Sequence, residues 1–453
     1  MTRSFIEFPS DFVFGTATAA YQIEGAAKAD GRGESIWDRF SHTPGKVFEG
    51  HTGDVACDHY HRYEEDIKLM HELGIPAYRL SISWPRIFPE RGKFNQAGID
   101  FYRRVLETLH KYEIEPAVTL YHWDLPQYLQ DEGGWANRAT VDYFVEYATK
   151  VFRELGDLVP KFITHNEPWC ASFLSYGLGH HAPGHHDWRE AYAAAHHILL
   201  SHGKAVEAYR AGGYQGEIGI TLNFTWVDSA SNRPEDVAAA RREDGFANRW
   251  FIEPLMKRQY PSDMVEWVEG RIGALDFIEP GDLESIASTI DFLGINFYSR
   301  NVVQAGAGNA HLESQVVQPS ADRVTDMGWE IHPESLYRLL TWLKSEYTAD
   351  LPLVITENGA AFRDELVDGE VQDVDRVNYV ADHLEAAKRF IDEGGPLKGY
   401  YLWSFMDNFE WAFGYSKRFG MVYVDYATQV RTVKASGKWY SGQIAHHRAA
   451  NVR

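Results

Sequence analysis

Residues 141–169 read VDYFVEYATKVFRELGDLVPKFITHNEPW. Val141, Phe144, Val145, Ala148, Val151, Phe152 and Leu155 recur at intervals of three and four, which puts them on one face of a helix. Shortly after it, residues 162–166 form a short β-branched and aromatic run of strand length. A helix feeding such a run is one unit of an alternation that repeats along the chain. Similar runs occupy residues 12–17, 77–83, 116–121, 217–222, 292–296, 353–357 and 399–404. They show little polar–apolar alternation, as expected of parallel strands buried on both faces. Between them, Ile99, Tyr102, Val105, Leu106 and Leu109 repeat with helical spacing, and a further amphipathic stretch covers 60–73.

Alternating strand and helix imply an α/β protein with a parallel sheet. Eight such strands fit a closed (β/α)8 TIM barrel better than an open doubly wound sheet. The stretch Gly15-Thr16-Ala17-Thr18 after the first strand is not a phosphate-binding GxGxxG turn. Insertions carry barrels of this kind past ~400 residues, so the 453 residues read as one catalytic domain over 1–453 with long βα loops at the C-terminal face. Residues 303–320, rich in Gly, Gln and Ser, read as an insertion loop.

Composition narrows the function. Lys and Arg number 44 against 65 Asp and Glu, a net charge of −21, which disfavours nucleic acid and anionic lipid. No run approaches the ~18 apolar residues of a membrane span, and residues 1–10 have no signal-peptide core. Cys57 and Cys170 are isolated and form no metal or redox motif. A cytoplasmic enzyme is expected. The 14 Trp, 25 Tyr and 25 Phe fill a large core, and they also suit a site that stacks flat apolar faces.

Barrel enzymes carry their chemistry at the C-terminal ends of the strands. Those ends hold Gln22 and Glu24; Arg79 and Trp84; His122, Trp123 and Asp124; Asn166 and Glu167; Asn223; Asn296 and Tyr298; Glu357; and Trp403 followed by Asp407, Glu410 and Trp411. Glu167 and Glu357 sit on strands four and seven, which face each other across the mouth of an eight-stranded barrel. Paired carboxylates cleave glycosidic bonds: one protonates the leaving oxygen, the other attacks the anomeric carbon or activates water. Arg79 and Tyr298 would keep a nucleophilic carboxylate ionised and aimed, and Asn166 would donate to a sugar hydroxyl.

Asn166-Glu167-Pro168 together with Ile355-Thr356-Glu357-Asn358-Gly359 resembles the paired signature of glycoside hydrolase family 1, the β-glucosidase family. The resemblance runs from Phe14–Gly25 through Arg79–Arg86 and Tyr121–Pro126 to Trp403-Ser404 and Asn408–Trp411. It implies a retaining β-glycosidase that removes terminal non-reducing β-D-glucosyl residues, or galactosyl or fucosyl ones, through a covalent glycosyl-enzyme. Glu167 is then the acid/base and Glu357 the nucleophile, supported by Arg79 and Tyr298. Gln22, His122, Asn166, Glu410 and Trp411 fall on the hydroxyls of the cleaved sugar, Asn296 near its 2-hydroxyl, and Trp403 under its apolar face. Trp123 joins this sugar site, and Trp169 and Trp329 fall on the leaving-group side. His165 and Leu80 stand where the family pattern has an apolar and an aromatic residue.

Other readings follow from particular residues. Phosphate-binding relatives use a Lys and a Tyr near Lys417 and Phe419. Phe419 lacks the hydroxyl, and the carboxylate of Glu410 would repel a 6-phosphate. A transglycosidase would pass the same intermediate to a sugar hydroxyl, and a non-catalytic sugar-binding barrel would not need both Glu. The imidazoles of 179–187 lie in a stretch with Pro and two Gly, which reads as a flexible rim loop rather than a metal site. No cofactor is expected, and the partner is a small β-glucoside or oligosaccharide.

Overall fold

In the computed structural model, which describes residues 3–451, eight strands form the centre: β1 (Val13–Ala17), β2 (Ala77–Ser81), β3 (Glu115–Tyr121), β4 (Lys161–Asn166), β5 (Glu217–Ser229), β6 (Phe292–Asn309), β7 (Leu353–Asn358) and β8 (Leu397–Trp403). Each pairs in parallel with the next, and β8 returns to β1 through Val13↔Gly399 to Ala17↔Trp403, so the sheet closes on itself. The inside is filled unevenly. Ala17, Ala77 and Ala117 on β1–β3 pack in one cluster with Phe292 on β6 and Tyr401 on β8. A Cβ on Gly15 would lie 2.5 Å from the Tyr401 ring, so that layer admits no larger residue on β1.

The helices that follow the strands are α1 (His59–Glu72), α2 (Gln96–Lys111), α3 (Ala139–Leu155), α4 (Trp188–Ala211), α5 (Pro234–Asp244), α6 (Glu334–Leu343), α7 (Val374–Asp392) and α8 (Ala435–Asn451), with further short helices between α5 and β6. On α2 the five residues of the helical stripe are all buried. On α3 Val145 lies half-buried at the edge of the stripe, while Tyr147, outside the stripe, is buried. Its hydroxyl reaches the carbonyl of Leu120 on β3 at 2.6 Å, which ties the helix to the strand behind it.

Two loop expectations are corrected. Residues 303–320 are not an unstructured insertion: β6 runs on to Asn309, turns, and pairs antiparallel with Ser314–Val316. β5 is lengthened to match, and pairs with β6 through Val227↔Asn301 and Ser229↔Val303. Val302, Val303 and Val316 supply β-branched residues that the surrounding Gly and Gln obscured in the sequence. Residues 179–187 are not a loose rim either. The backbone amides of His185 and Asp187 donate to the carbonyls of Ser175 (3.0 Å) and Tyr176 (2.8 Å), and the His181 ring packs 5.2 Å from both Trp37 and Trp123. Burial pushes His181 down to about 3, so it is a neutral packing ring.

Candidate active site

The C-terminal ends of the strands surround a cavity of about 720 Å³. Glu167, at the end of β4, and Glu357, in β7, both line it and are 6% and 3% exposed. At such burial a carboxylate needs partners, and the two have different ones. Arg79 Nη1 donates to Glu357 Oε1 at 2.7 Å, and Tyr298 Oη donates to Oε2 at 2.6 Å. Glu167 receives no cation: Asn296 Nδ2 donates to Oε1 at 2.7 Å and Cys170 Sγ to Oε2 at 2.9 Å. Burial and the charge of Glu357 push Glu167 up to about 7. Burial also pushes Glu357 up, against the pull of Arg79 and the Tyr298 hydrogen bond. The guanidinium makes Glu357 the ionised member and leaves the proton on Glu167.

Arg79 is itself held in place. Its Nε donates to Thr119 Oγ1 at 3.1 Å and its Nη2 to Asn166 Oδ1 at 2.7 Å. Asn166 Oδ1 also accepts from Asn296 Nδ2 at 3.0 Å, while Asn296 Oδ1 accepts from Thr356 Oγ1 at 2.7 Å. This chain of donors fixes each amide's orientation. Asn166 Nδ2 must therefore donate to His122 Nε2, 3.1 Å away. Burial and Arg79 push His122 well below its usual range, so the ring is neutral and its single proton sits on Nδ1. That Nδ1 is buried without a partner.

Three further polar atoms are buried and unpartnered here: Gln22 Oε1, Glu410 Oε2 and Trp169 Nε1. Burial, with the charges of Glu357 and Glu167, pushes Glu410 up to about 8. Two acceptors and two N–H donors left unsatisfied at one site await a ligand that both donates and accepts, since buried polar groups are ordinarily paired. The indole of Trp403 lies nearly parallel to the His122 ring, 5.9 Å away, and Trp123 packs 4.6 Å from Trp411. Trp329 packs on Tyr298 and Phe419 at 5.4 and 6.2 Å.

Most of the residues singled out from the sequence are brought to this cavity: His122, Trp123, Glu167, Trp169, Asn296, Tyr298, Trp329, Glu357, Trp403, Glu410, Trp411 and Phe419 line it. Arg79, Asn166 and Gln22 stand behind its wall, fully or almost fully buried. Gln22 Nε2 is spent on Asn408 Oδ1 (3.0 Å) and the carbonyl of Phe409 (2.9 Å). Glu24 belongs to the scaffold, paired with Arg86 at 2.8 Å and accepting from Tyr102 at 2.7 Å. His165 points away from the cavity, stacked on Phe144 and bonded to Ser201 at 2.7 Å.

From the sequence alone Cys170 is an isolated thiol with no role at the site. Its signal is the Glu167-x-x-Cys170 spacing, which matters because one helical turn follows the strand end, with the Ala171 amide donating to the Glu167 carbonyl at 3.2 Å, before the π-helical segment Cys170–Gly177. Glu167, Trp123 and Trp411 all have φ in the left-handed region, at 53°, 79° and 47°. Such strain in non-glycine residues gathers where side chains must be aimed. Among the described residues, no three His, Cys, Asp or Glu side chains are grouped to hold a metal ion.

The family model described as glycosyl hydrolase family 1 matches residues 4–449. Among curated relatives, β-glucosidase A of Acetivibrio thermocellus is 51% identical over 446 residues, covering 98% of this chain and 99% of its own. A bifunctional β-D-glucosidase/β-D-fucosidase of Bifidobacterium breve is 47% identical over 98% and 99%. Among solved structures, the AHE enzyme of Alicyclobacillus herbarius superposes with a TM-score of 0.97 at 67% identity, over 99% of both chains. The Thermotoga maritima β-glucosidase in complex with deoxynojirimycin gives 0.92 at 46%, over 97% and 99%.

Proposed function

The chain belongs to glycosyl hydrolase family 1, and from that premise we propose that it is a retaining β-glucosidase whose 453 residues work as one catalytic barrel. Glu167 gives its proton to the glycosidic oxygen while Glu357 attacks the anomeric carbon. Glycosylation removes the charge of Glu357, which is one of the two causes holding Glu167 up. Glu167 then deprotonates water, which releases the sugar with its configuration retained. The observation that carries this reading is the asymmetry of the pair: a guanidinium and a phenol on one carboxylate, an amide and a thiol on the other.

The substrate is a terminal β-D-glucosyl unit, cellobiose among its sources, and β-D-fucosides are accepted as well. The Bifidobacterium relative supports the second part. A 6-phosphorylated sugar is disfavoured by Phe419, which has no hydroxyl to offer a phosphate, and by Lys417, whose Nζ is already committed to Asp326 at 2.8 and 3.2 Å. Both cysteines are unpaired, and no helix among the described residues is long and apolar enough to cross a membrane. Both observations support a cytoplasmic site of action.

The test is Glu357→Gly. Turnover is expected to collapse and to be restored by azide or formate, with an α-configured glycosyl product in the azide case. A variant that stays unrescued, and loses no more activity than Glu410→Gln, overturns the assignment.

A further inference from the structure

The mechanism above gives no part to the thiol that donates to Glu167. Cys170 is 7% exposed, lines the same cavity, and places its Sγ 2.9 Å from Glu167 Oε2. Burial pushes the thiol well up, so it keeps its proton and is no nucleophile. What remains is its hydrogen bond. The other oxygen, Oε1, faces Asn296 Nδ2, an N–H that only donates and whose amide is held in that orientation by Thr356. A proton on Oε1 would meet that donor head-on. The acid form therefore carries its proton on Oε2, opposite the thiol.

We infer that Cys170 is a positioning residue for the acid/base: its S–H donates to Oε2 of ionised Glu167 and turns to accept from the proton of the acid form. A thiol suits this exchange because it is a weak donor and a weak acceptor, so neither state is locked. When Glu167 protonates the leaving group, its proton goes to the glycosidic oxygen and the S–H turns in to replace it. When Glu167 takes a proton from water, the thiol turns back. The thiol's own proton is never transferred. This rests on Glu167 being the acid/base.

Other groups act on the same carboxyl. The charges of Glu357 on β7 and Arg79 on β2 act on it at longer range, Glu410 lies in the loop after β8, and Tyr298 and Asn296 come from β6. All are unchanged when only Cys170 is replaced, so a difference between Cys170 variants reads the thiol.

The experiment follows the basic limb of kcat/KM, which reports loss of the acid form in the free enzyme, in wild type, Cys170→Ala, Cys170→Ser and Glu167→Gln. Losing the donor destabilises the ionised carboxylate, so in Cys170→Ala the limb moves up by about half to one pH unit. A hydroxyl is a stronger donor, so in Cys170→Ser it moves down. A limb unmoved in whichever folded variant is measured, or moved the same way in both, overturns the role of Cys170. If Glu167→Gln keeps the wild-type limb, the assignment of Glu167 itself fails instead.

Discussion

At the residue scale, the roles of the two carboxyls are set by neighbours one bond away. Arg79 touches Glu357 and, through Asn166, the group that orients His122. Replacing Arg79 by Met leaves Glu357 buried without its cation. kcat/KM is then expected to fall by roughly a hundredfold or more, the cost of ~3 kcal/mol or above for an unpaired buried charge, with the acid limb moved to higher pH as Glu357 becomes harder to ionise. A pH profile with an unmoved acid limb would count against the pairing. Gly359 is the second point where one residue decides the geometry. A Cβ there would sit 1.8 Å from the carbonyl oxygen of Trp403, and the backbone of a strand end has no room to yield. Gly359→Ala should displace the Trp403 platform, and an overpacking strain of ~1–3 kcal/mol predicts roughly a ten- to hundredfold loss of kcat/KM. Steady-state kinetics checks it, with circular dichroism to establish that the fold persists. The residue types at these positions were legible in the sequence. The bond from Cys170 was not, because it depends on the one helical turn after the strand end, closed by the Ala171 amide on the Glu167 carbonyl at 3.2 Å, a turn too short to show a periodicity.

At the element scale, the β6 hairpin differs most from its sequence reading. Glycines and glutamines among residues 303–320 suppress both the strand and the helix pattern, yet pairing with the lengthened β5 makes this a two-sided ribbon. Its residues Val302, Val316, Val317 and Gln318 line the cavity with Trp329, Met327 and Leu174. The hairpin is therefore expected to bound the leaving-group region. Shortening residues 305–315 to a two-residue turn should lower kcat/KM for cellobiose while leaving β-D-glucosyl fluoride, whose leaving group does not reach the ribbon, within about twofold. Equal losses on both substrates would mean that the hairpin supports the whole site. The helices were easier to read: the α2 stripe is buried as its spacing requires, and only the α3 margin, Val145 against Tyr147, moved.

At the scale of the whole molecule, buried charge ties the sugar end of the site to the C-terminal helix. Asp407, in the loop between Trp403 and Glu410, accepts from Lys434 Nζ at 2.7 Å, Arg418 Nη1 at 2.6 Å and the Gly420 amide at 3.0 Å. Lys434 also reaches Asp364, which pairs with Arg376 at 2.9 Å. Lys434→Met strips the shared cation from two buried carboxylates, and a loss of about 3–5 kcal/mol in denaturant unfolding is expected. Stability should also peak near pH 6–7. His122, His165, His197, His202 and His383 are pushed down by burial, so the unfolded chain binds more protons below its histidine pKa of about 6.5, and stability is lost as pH falls through it. Asp124, Glu167 and Glu410 are pushed up to about 7, 7 and 8. Here the folded chain binds more protons, and stability is lost as pH rises toward 8. Unfolding midpoints that stay flat from pH 5 to 8 would contradict both arms.

By itself the sequence determined the barrel, the rim that carries the chemistry and the residue types gathered there. Each depends on local periodicity or on position at a strand end, both of which are properties of short segments. The tertiary structure decided which oxygen of each carboxyl meets which donor, the path of residues 303–320, and the separation of the two carboxyls into one with a cation and one without. Those depend on contacts such as Arg79 to Glu357, made between residues 278 positions apart, and on the loss of water around them. Neither the contact nor the desolvation exists until the barrel has closed.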